Sequence, residues 1–479
     1  MRIKSLAKEY KEVIFYNHHV NGIKNNSLDV KENDVFVAIK GYSDDGHKYI
    51  KEAINKGAKT IIYEDDVIKI SGINYILVDD CKKYLGVIAN RFFKEVTKKI
   101  YMIGITGTNG KTTISTLISS FLDYSGISNI LIGTNGIKFN DCNYTTNNTT
   151  PDILLCLNAI YEAYRKGAKY CIMEVSSHAI KELRVYGFNY KMGIFSNITH
   201  DHLDYHKSMT DYMYIKAHFL SHVKDVVILN KDISEYSFFS KLIETKIISY
   251  SINNNSDFKA SNIIKSFENG TTFKVLTKEY KKTIHTPLIG KFNVYNILAA
   301  MSAITYLKFN IDDFSRFLKF YVKISGRMEM LKMNNRCFII DYAHTPDGVL
   351  NVCLNIREYT NNKLKIVIGC GGNRDKEKRP LIGEIVTKYA DYVIFTNDNP
   401  RNENEEEIIR DILSGVSTNN YDVILNRQKA IYQIIKDSEP NDCIAILGKG
   451  NEIYQIINGI KYPFNDIECI KKIMKRVFL

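Results

Sequence analysis

The segment of residues 102–118, MIGITGTNGKTTISTLI, carries the strongest chemical signal in the sequence. Its apolar start predicts a strand, and the apolar spacing after Lys111 predicts a helix that ends near Gly126. Glycines between a strand and a helix N-terminus offer backbone N–H groups and the helix dipole to a polyphosphate. Lys111 would neutralise the β- and γ-phosphates, and the Thr112 hydroxyl would ligate Mg²⁺. The ordinary pattern has a glycine where Ile105 stands, so a chance turn and another kind of phosphate loop both remain open.

Two further segments place acidic and histidine side chains after apolar runs. KYCIMEVSSH ends its apolar run at Glu174, a typical position for an acidic metal partner. SNITHDHLDYH holds His200, His202 and His206 among two aspartates. A zinc site would need ligand spacing such as H-E-x-x-H or a cysteine partner, and neither is present. A loop that contributes one histidine to a magnesium-nucleotide site therefore fits better.

The composition indicates a soluble enzyme of several domains. A chain of 479 residues suggests about three domains. Its formal charge of +12 is compatible with nucleic acid, an anionic surface or small polyanionic substrates, but the basic residues are scattered. The nine cysteines form no C-x-x-C pair, the start lacks a signal peptide, and no apolar run reaches the roughly 18 residues of a membrane span. We expect a reduced, cytoplasmic, monomeric protein that binds neither nucleic acid nor membrane.

Strand-like and helix-like runs alternate along the whole chain, which predicts an α/β fold with mostly parallel sheets. The grouping of these runs divides the chain into three predicted domains, residues 1–98, 99–324 and 325–479. The polar clusters follow apolar runs, as in "DYVIFTNDNPR" and "DCIAILGKGNE". In parallel sheets, ligands gather at the carboxyl ends of strands, so we expect these clusters to form the functional site.

Taken together, GITGTNGKTT, EVSSH, DHLDYH and DYAHTPDG resemble the Mur ligases, the ATP-dependent amide-forming enzymes of peptidoglycan precursor synthesis. That family's phosphate loop reads G-T-N-G-K-T-T, which explains the missing glycine. The resemblance covers nearly the whole chain and is greatest to members that add the third amino acid. It implies a UDP-sugar-binding first domain, a central ATPase domain of the phosphate-loop type, and a Rossmann-like C-terminal domain that binds the amino acid.

The resemblance implies ATP and Mg²⁺ as cofactors and an acyl-phosphate intermediate. The implied catalytic residues are Lys111, Glu174, His202 and a carbamylated Lys216. The metal would be held by Thr112, Glu174, His202 and Lys216. The implied ATP-binding residues are Gly107, Thr108, Asn109, Gly110, Lys111, Thr112, Thr113, Asn296, Arg327 and Asp341, with His344 near them.

The implied substrates are UDP-N-acetylmuramoyl-L-Ala-D-Glu and meso-diaminopimelate. The residues for the UDP-linked dipeptide would be Asn25, Ser27, Tyr42, Ser43, Asp44, Asn148, Thr149, Thr150, Ser176, Glu182 and Arg184. Those for the amino acid would be Arg374, Asp398, Asn399, Pro400, Arg401, Gly448 and Glu452. In the family, D-N-P-R accompanies diaminopimelate rather than lysine, and a planar guanidinium can grip the additional carboxylate with two hydrogen bonds.

Five residues depart from the family's pattern, namely Asn26, Leu28, Glu182, His200 and Asn451. None removes an implied metal or phosphate ligand, but they leave room for a related amino acid. Three alternatives remain open: the same ligation with L-lysine or another diamino acid, a ligase similar to folylpolyglutamate synthase, and a nucleotide-binding regulatory scaffold without turnover.

Overall fold

The computed structural model describes residues 1–41, 44–140, 142–146, 148–199, 205–266, 269–320, 324–360 and 362–478. Within these ranges the strands form three main sheets and a short hairpin. The main sheets run in sequence along the chain, and each is covered by helices on its faces. This confirms the predicted α/β class.

The first sheet is small and entirely parallel. Its strands are β1 (Ile23–Lys24), β2 (Val35–Val37), β3 (Thr60–Tyr63) and β4 (Asn74–Leu77). They lie side by side in chain order. The helices of this region are α1 (Ile3–Leu6), α2 (Ile50–Asn55), α3 (Cys81–Phe92) and α4 (Val96–Lys99). Helices α1 and α3 share one continuous apolar core with the central sheet, so the first two parts of the chain are packed together.

The second sheet has a parallel centre and antiparallel edges. Its strands are β5 (Tyr101–Thr106), β6 (Asn129–Gly133), β7 (Gly136–Phe139), β8 (Cys142–Tyr144), β9 (Tyr170–Glu174), β10 (Tyr190–Phe195), β11 (Val226–Asn230), β12 (Lys246–Ser251), β13 (Phe258–Ser266), β14 (Gly270–Leu276) and β15 (Lys281–Thr286). Their order is β15-β14-β13-β12-β11-β10-β5-β9-β6-β7-β8. The antiparallel strands β7, β8, β14 and β15 were not part of the prediction. The strand that carries the glycine loop, β5, lies at the centre.

The central helices cover both faces of this sheet. They are α5 (Lys111–Tyr124), α6 (Ile153–Arg165), α7 (Ser177–Lys181), α8 (Met209–Ser221), α9 (Tyr236–Leu242), α10 (Lys291–Tyr306) and α11 (Ile311–Phe320). Helices α5, α10 and α11 bury one face, whereas α6 and α8 bury the other together with α3. The apolar run VYNILAAMSAITYL lies in α10 and is a buried helix rather than a membrane span.

The third sheet repeats the parallel design. Its strands are β16 (Glu329–Met333), β17 (Arg336–Asp341), β18 (Leu364–Ile368), β19 (Tyr392–Phe395), β20 (Tyr421–Val423) and β21 (Cys443–Leu447), followed by the hairpin of β22 (Tyr454–Ile457) and β23 (Ile460–Pro463). The order is β16-β17-β21-β18-β19-β20, and only β16 is antiparallel to its neighbour. The helices are α12 (Pro346–Arg357), α13 (Lys378–Tyr389), α14 (Glu405–Leu413), α15 (Arg427–Lys436) and α16 (Asp466–Phe478). Among the helices in the described ranges, none combines the length and the apolar character needed to cross a bilayer.

Candidate active site

The glycine loop joins the carboxyl end of β5 to the start of α5, as predicted. Gly107 and Gly110 have φ of +141° and +88°, a region that L-residues rarely adopt. A Cβ on Gly107 would lie 1.9 Å from Ser196 Oγ, so neither conformation nor space permits a side chain there. Lys111 Nζ donates to the carbonyls of Gly107 and Thr108 at 2.9 and 2.8 Å. The ammonium is thereby held over the loop, beside the N-terminus of α5.

Glu174, at the carboxyl end of β9, accepts hydrogen bonds from the start of α5 and from the segment after β6. The side chain is 1% exposed. Its Oε2 accepts from the hydroxyls of Thr112 and Thr134 at 3.0 and 2.9 Å. Its Oε1 accepts from the Thr134 backbone N–H at 3.2 Å and from Ser115 Oγ at 3.3 Å. The Thr112 hydroxyl and the Glu174 carboxylate form an oxygen-only pair beside the phosphate loop, and Mg²⁺ prefers oxygen ligands. These two residues therefore fit the implied metal.

Lys216 lies beneath the loop rather than on the surface of α8. Its side chain is 1% exposed, and its Nζ donates to the Gly107 carbonyl at 3.1 Å. The Tyr212 ring, one turn earlier, lies 4.5 Å from this ammonium, and its hydroxyl is 3.2 Å from Thr108 Oγ1. Periodicity alone would favour a surface lysine at this position, whereas the family resemblance indicated a site residue. The burial of Lys216 excludes the surface position. Whether the amine is carbamylated stays a prediction.

Two side chains of the C-terminal part hydrogen-bond to the glycine loop and the start of α5. An NH2 group of Arg327 donates to Thr112 Oγ1 at 3.3 Å. Asn109 donates from Nδ2 to Asp347 Oδ2, in the first turn of α12, at 3.0 Å. The Asn109 backbone is clamped in the central part, because its N–H donates to Asn197 Oδ1 at 2.9 Å. The side chain of Asn109 thus bridges two sheets. Burial raises the pKa of Asp347.

The remaining predicted nucleotide-binding residues lie near these contacts between the glycine loop and the C-terminal part. Asn296 is buried in α10, and its Oδ1 lies 2.5 Å from where a Cβ on Gly110 would be. Asp341 ends β17 and accepts from the N–H groups of Met328 and Ala343, both at 2.7 Å. Burial raises the pKa of Asp341. His344 Nδ1 lies 2.9 Å from the Tyr342 carbonyl.

A row of polar residues extends from Glu174 toward the first sheet. Thr149 Oγ1 lies 3.2 Å from Thr134 Oγ1, and Thr150 Oγ1 donates to the Glu174 carbonyl at 2.8 Å. The Ser176 hydroxyl is 3.2 Å from Thr150 Oγ1 and caps α7. Arg184 donates to the Thr150 carbonyl at 3.2 Å. Thr150 therefore contacts Glu174 directly, whereas Thr149, Ser176 and Arg184 are connected to it through Thr134 or Thr150, and Asn148 is exposed at the start of the row.

Glu182, one of the departures from the family's pattern, forms an ion pair with a residue of the first part of the chain. Lys82 on α3 donates to its Oε2 at 2.5 Å, and the Tyr205 hydroxyl hydrogen-bonds to its Oε1. Burial raises the pKa of Glu182, but these two hydrogen bonds outweigh burial and hold it below the usual value. Glu182 is thus ionised and paired. His206, which follows Tyr205 in the chain, is 1% exposed, and its Nε2 lies 2.9 Å from Ser177 Oγ.

The predicted residues of the first sheet are only partly joined to this site. Asn25 donates to Asp152 Oδ2 at 3.0 Å, a bond to the start of α6. Ser27 and Asp44 instead bond to Glu52 and Tyr49, within the first part of the chain. Leu28 is exposed beside them, and Asn26 caps a short 3-10 helix. Tyr42, Ser43, His200 and His202 lie outside the described residues.

The predicted amino-acid residues gather at the carboxyl ends of β18, β19 and β21. Asp398 is buried, and the Oδ2 of its carboxylate lies 2.5 Å from where a Cβ on Gly448 would be. Arg401 has φ of +55°, and its NH1 donates to the Gly372 carbonyl at 2.7 Å. Burial lowers the pKa of Arg401, and the neighbouring Arg374 lowers it further. Pro400 is buried between Asn399 and Arg401.

Several residues at these sites were not identified from the sequence. Asp347 and Tyr205 lie within the motifs DYAHTPDG and DHLDYH but were not assigned a role, and Lys82 has no local pattern that marks it. Lys449, in the motif GKGNE, and the buried pair of Arg427 and Asp466 were also missed. For Lys449 a signal existed, since it follows a buried strand between two residues that were identified. Asn451 donates to Asn135 Oδ1 at 3.0 Å and so joins the third sheet to the second.

A second candidate metal cluster in the described ranges, Asp45, His47 and Asp65, is better explained as a structural link. The Nδ1 of His47 lies 2.7 Å from Asp45 Oδ1. Its Nε2 accepts from the backbone N–H groups of Glu64 and Asp65 at 3.1 and 3.3 Å. Because both ring nitrogens are engaged, this histidine has no lone pair for a metal.

Comparisons with known proteins agree with this geometry. Three family models match the chain: "Mur ligase family, catalytic domain" over residues 19–93, "Mur ligase middle domain" over 105–304, and "Mur ligase, glutamate ligase domain" over 326–450. A protein of Aquifex aeolicus named UDP-N-acetylmuramoyl-L-alanyl-D-glutamate--2,6-diaminopimelate ligase is 40% identical over 467 residues, which cover 97% of this chain and 96% of that protein. The chain belongs to the Mur ligase family.

Two further comparisons place it within the Mur ligases. A protein of Oceanobacillus iheyensis named UDP-N-acetylmuramyl-tripeptide synthetase 2 is 37% identical and covers 86% of this chain and 85% of its own length. A solved structure of a UDP-N-acetylmuramoyl-L-alanyl-D-glutamate--2,6-diaminopimelate ligase superposes with a TM-score of 0.73 at 29% identity, over 99% of both chains. The predicted family is confirmed, whereas the individual residue roles and domain boundaries stay predictions.

Proposed function

We propose that this chain is an ATP-dependent ligase that adds meso-diaminopimelate to UDP-N-acetylmuramoyl-L-alanyl-D-glutamate, a step of peptidoglycan precursor synthesis. The relatives named for this reaction span nearly the whole chain, which supports the substrates. The reaction would take place in the cytoplasm, on a monomer. A size-exclusion measurement coupled to light scattering tests the monomer.

The phosphate loop would bind the triphosphate of ATP. Its glycine backbone and the start of α5 offer N–H groups, and Lys111 is already held over the loop. Thr112 and Glu174 would hold Mg²⁺, with His202 and a carbamylated Lys216 near a second ion. When bound, Mg²⁺ would neutralise charge on the transferring phosphoryl group. The proximity of Arg327 to Thr112 would bring a guanidinium from the C-terminal part to the same phosphates.

The chemistry would proceed in two substitutions. The γ-carboxylate of the substrate's D-glutamate attacks the γ-phosphorus of ATP, the bond to ADP breaks, and an acyl phosphate forms. The neutral amine of the diamino acid then attacks the acyl carbon, inorganic phosphate leaves, and the amine loses a proton. Because water would hydrolyse the acyl phosphate, contacts that close the C-terminal part over the loop would protect it. Asn109 with Asp347, and Arg327 with Thr112, are such contacts.

The choice of diaminopimelate rests on two adjacent guanidiniums. Arg374 and Arg401 lie close enough for each to oppose the charge of the other. Among the described residues, Arg374 makes no side-chain hydrogen bond or ion pair, so the pair has unused donors. Diaminopimelate has a carboxylate at each end, whereas lysine has one, and the additional carboxylate would be bound where these cations repel each other.

The observation that carries the proposal is the row from Thr112 through Glu174 and Thr134 to Thr149 and Thr150, which joins the phosphate loop to the predicted dipeptide site. The test is phosphate release from ATP with UDP-N-acetylmuramoyl-L-Ala-D-Glu and a panel of diaminopimelate, lysine, ornithine and lanthionine. We expect release that depends on both acceptor and amine and is fastest with diaminopimelate. A preference for lysine would correct the amino acid, turnover with folate and glutamate would indicate a folylpolyglutamate synthase, and ATP binding without turnover would indicate a scaffold.

A further inference from the structure

A buried lysine lies beside the predicted amino-acid residues without being one of them. Lys449 follows β21 and is 0% exposed. Its Nζ donates to Glu452 Oε2 at 2.7 Å and to Asn399 Oδ1 at 3.2 Å. Asn399 in turn donates from Nδ2 to the same Glu452 oxygen at 2.9 Å. The three side chains form a closed triangle of hydrogen bonds, and the ammonium inside it cannot reach a ligand in solvent.

The backbone holds this triangle in one arrangement. The Glu452 N–H donates to the Lys449 carbonyl at 3.0 Å and closes a turn. The Ile456 N–H donates to Asn399 Oδ1 at 2.9 Å, and this second donor on the oxygen fixes which way the amide points. Gly448 has φ of +106°, which brings the turn directly against Asp398. Neither the lysine nor the amide can rotate without losing a buried hydrogen bond.

The triangle uses only one oxygen of Glu452. Both hydrogen bonds end on Oε2, and in the described part of the chain no side chain or backbone group donates to Oε1. The Glu452 side chain is one-fifth exposed, in contrast to the buried lysine. A carboxylate with one oxygen fixed and the other available is an acceptor for an ammonium group.

We propose that Lys449 is a positioning residue for the amino-acid substrate, because it fixes Glu452 in the orientation that presents Oε1 to a substrate ammonium. This inference rests on the proposed function, and it names Lys449 as the residue that fixes the orientation of Glu452 in the proposed amino-acid site. Lys449 touches no substrate itself. It acts through Glu452 and Asn399, and it also supplies the positive charge that allows two acidic side chains, Glu452 and Asp398, to lie in one buried region.

The electrostatics agree with this role. Burial raises the pKa of Asp398, and Lys449 and Arg427 oppose that rise, while Glu452 and Asp466 add to it. Arg427 is already paired with Asp466 through two hydrogen bonds of 2.8 Å. Lys449, which pairs with Glu452 and lowers the pKa of Asp398 more than Arg427 does, therefore compensates the charge of both carboxylates.

The first test is Lys449→Met, which keeps the length of the side chain and removes its charge. We expect KM for the diamino acid to rise tenfold or more, with KM for ATP and for the UDP-linked acceptor within twofold of wild type. A purely structural role would change all three constants or none. The matched control is Lys471→Met on α16, which breaks an exposed lysine–glutamate pair with the same three-residue separation as the Lys449–Glu452 pair. It should leave all constants unchanged.

The second test remains informative if Lys449→Met does not fold. The double variant Lys449→Met/Glu452→Gln removes both charges of the pair together, which favours folding because neither charge is left without its partner. Its KM for the diamino acid should match that of Glu452→Gln alone within twofold, since Lys449 acts through Glu452. The inference would be overturned by a double variant whose KM for the diamino acid is far above that of Glu452→Gln. It would also be overturned by a folded Lys449→Met whose KM for the diamino acid is unchanged. Wild-type enzyme that ligates no amine would instead overturn the proposed function.

Discussion

Replacing Arg401 with alanine should convert a diaminopimelate-selective enzyme into one that barely distinguishes diaminopimelate from lysine. Arg401 is partly buried, one of its NH groups donates to the Gly372 carbonyl, and Arg374 is close enough to lower its pKa. The remaining donors would bind the carboxylate that lysine lacks. Alanine can adopt the backbone at φ +55° with no more strain than arginine, so the fold should be preserved.

The size of the effect follows from this environment. Truncating one partner of a desolvated, hydrogen-bonded charge pair costs about 2–5 kcal/mol. Removing Arg401 also relieves its repulsion with Arg374, so we expect the lower part of that range, about 2–3 kcal/mol. At about 1.4 kcal/mol per factor of ten, kcat/KM for diaminopimelate should fall roughly 30- to 150-fold. For lysine, which forms no such pair, the loss should stay below about fivefold.

The assay measures kcat/KM for both amino acids by phosphate release at saturating ATP and acceptor. Arg401→Lys keeps the charge without the planar fork and should fall between wild type and alanine. Arg410→Ala, on the exposed side of α14, is the control and should leave the ratio of the two constants unchanged. An equal loss for diaminopimelate and lysine in Arg401→Ala would refute the assignment of Arg401 as the discriminator.

Three further predictions concern the loop, the buried lysine of α8 and the stability of the C-terminal part. Lys111→Ala should abolish ligation while the thermal unfolding midpoint stays near that of wild type, because the lysine is at the start of α5 and donates to two carbonyls of the adjoining loop; undiminished phosphate release would contradict the loop assignment. Lys216→Ala should be inactive and partly restored by added formate or acetate, whereas Lys224→Ala should be active; full activity without added carboxylate would exclude a carbamate role. Arg427→Met should lower the free energy of unfolding by about 3–5 kcal/mol in urea titrations, because it leaves Asp466 buried without its partner, and a loss below 1 kcal/mol would show that the pair is not needed.

The sequence by itself determined those features that lie within one short segment. The loop of residues 107–113 is such a feature, because the strand, the glycines, the lysine and the helix start are contiguous and their roles follow from local geometry. Burial of α10 and the α/β class were predicted for the same reason, from apolar spacing along single elements. The end of an apolar run located Glu174, and the family motifs located Lys216, which periodicity alone would have assigned to the surface.

Only the tertiary structure decided which distant residues complete the site. Arg327 meets Thr112 across 215 positions of the chain, and Asn109 meets Asp347 across 238. The pairing of Glu182 with Lys82 spans 100 positions, and nothing in the sequence around Lys82 indicates this partner. Lys449 has a charge that a sequence displays, but its function follows from burial against Glu452 and Asn399. Hydrogen bonds and burial are properties of the packed chain, and residues that share no segment reveal them only when the sheets come together.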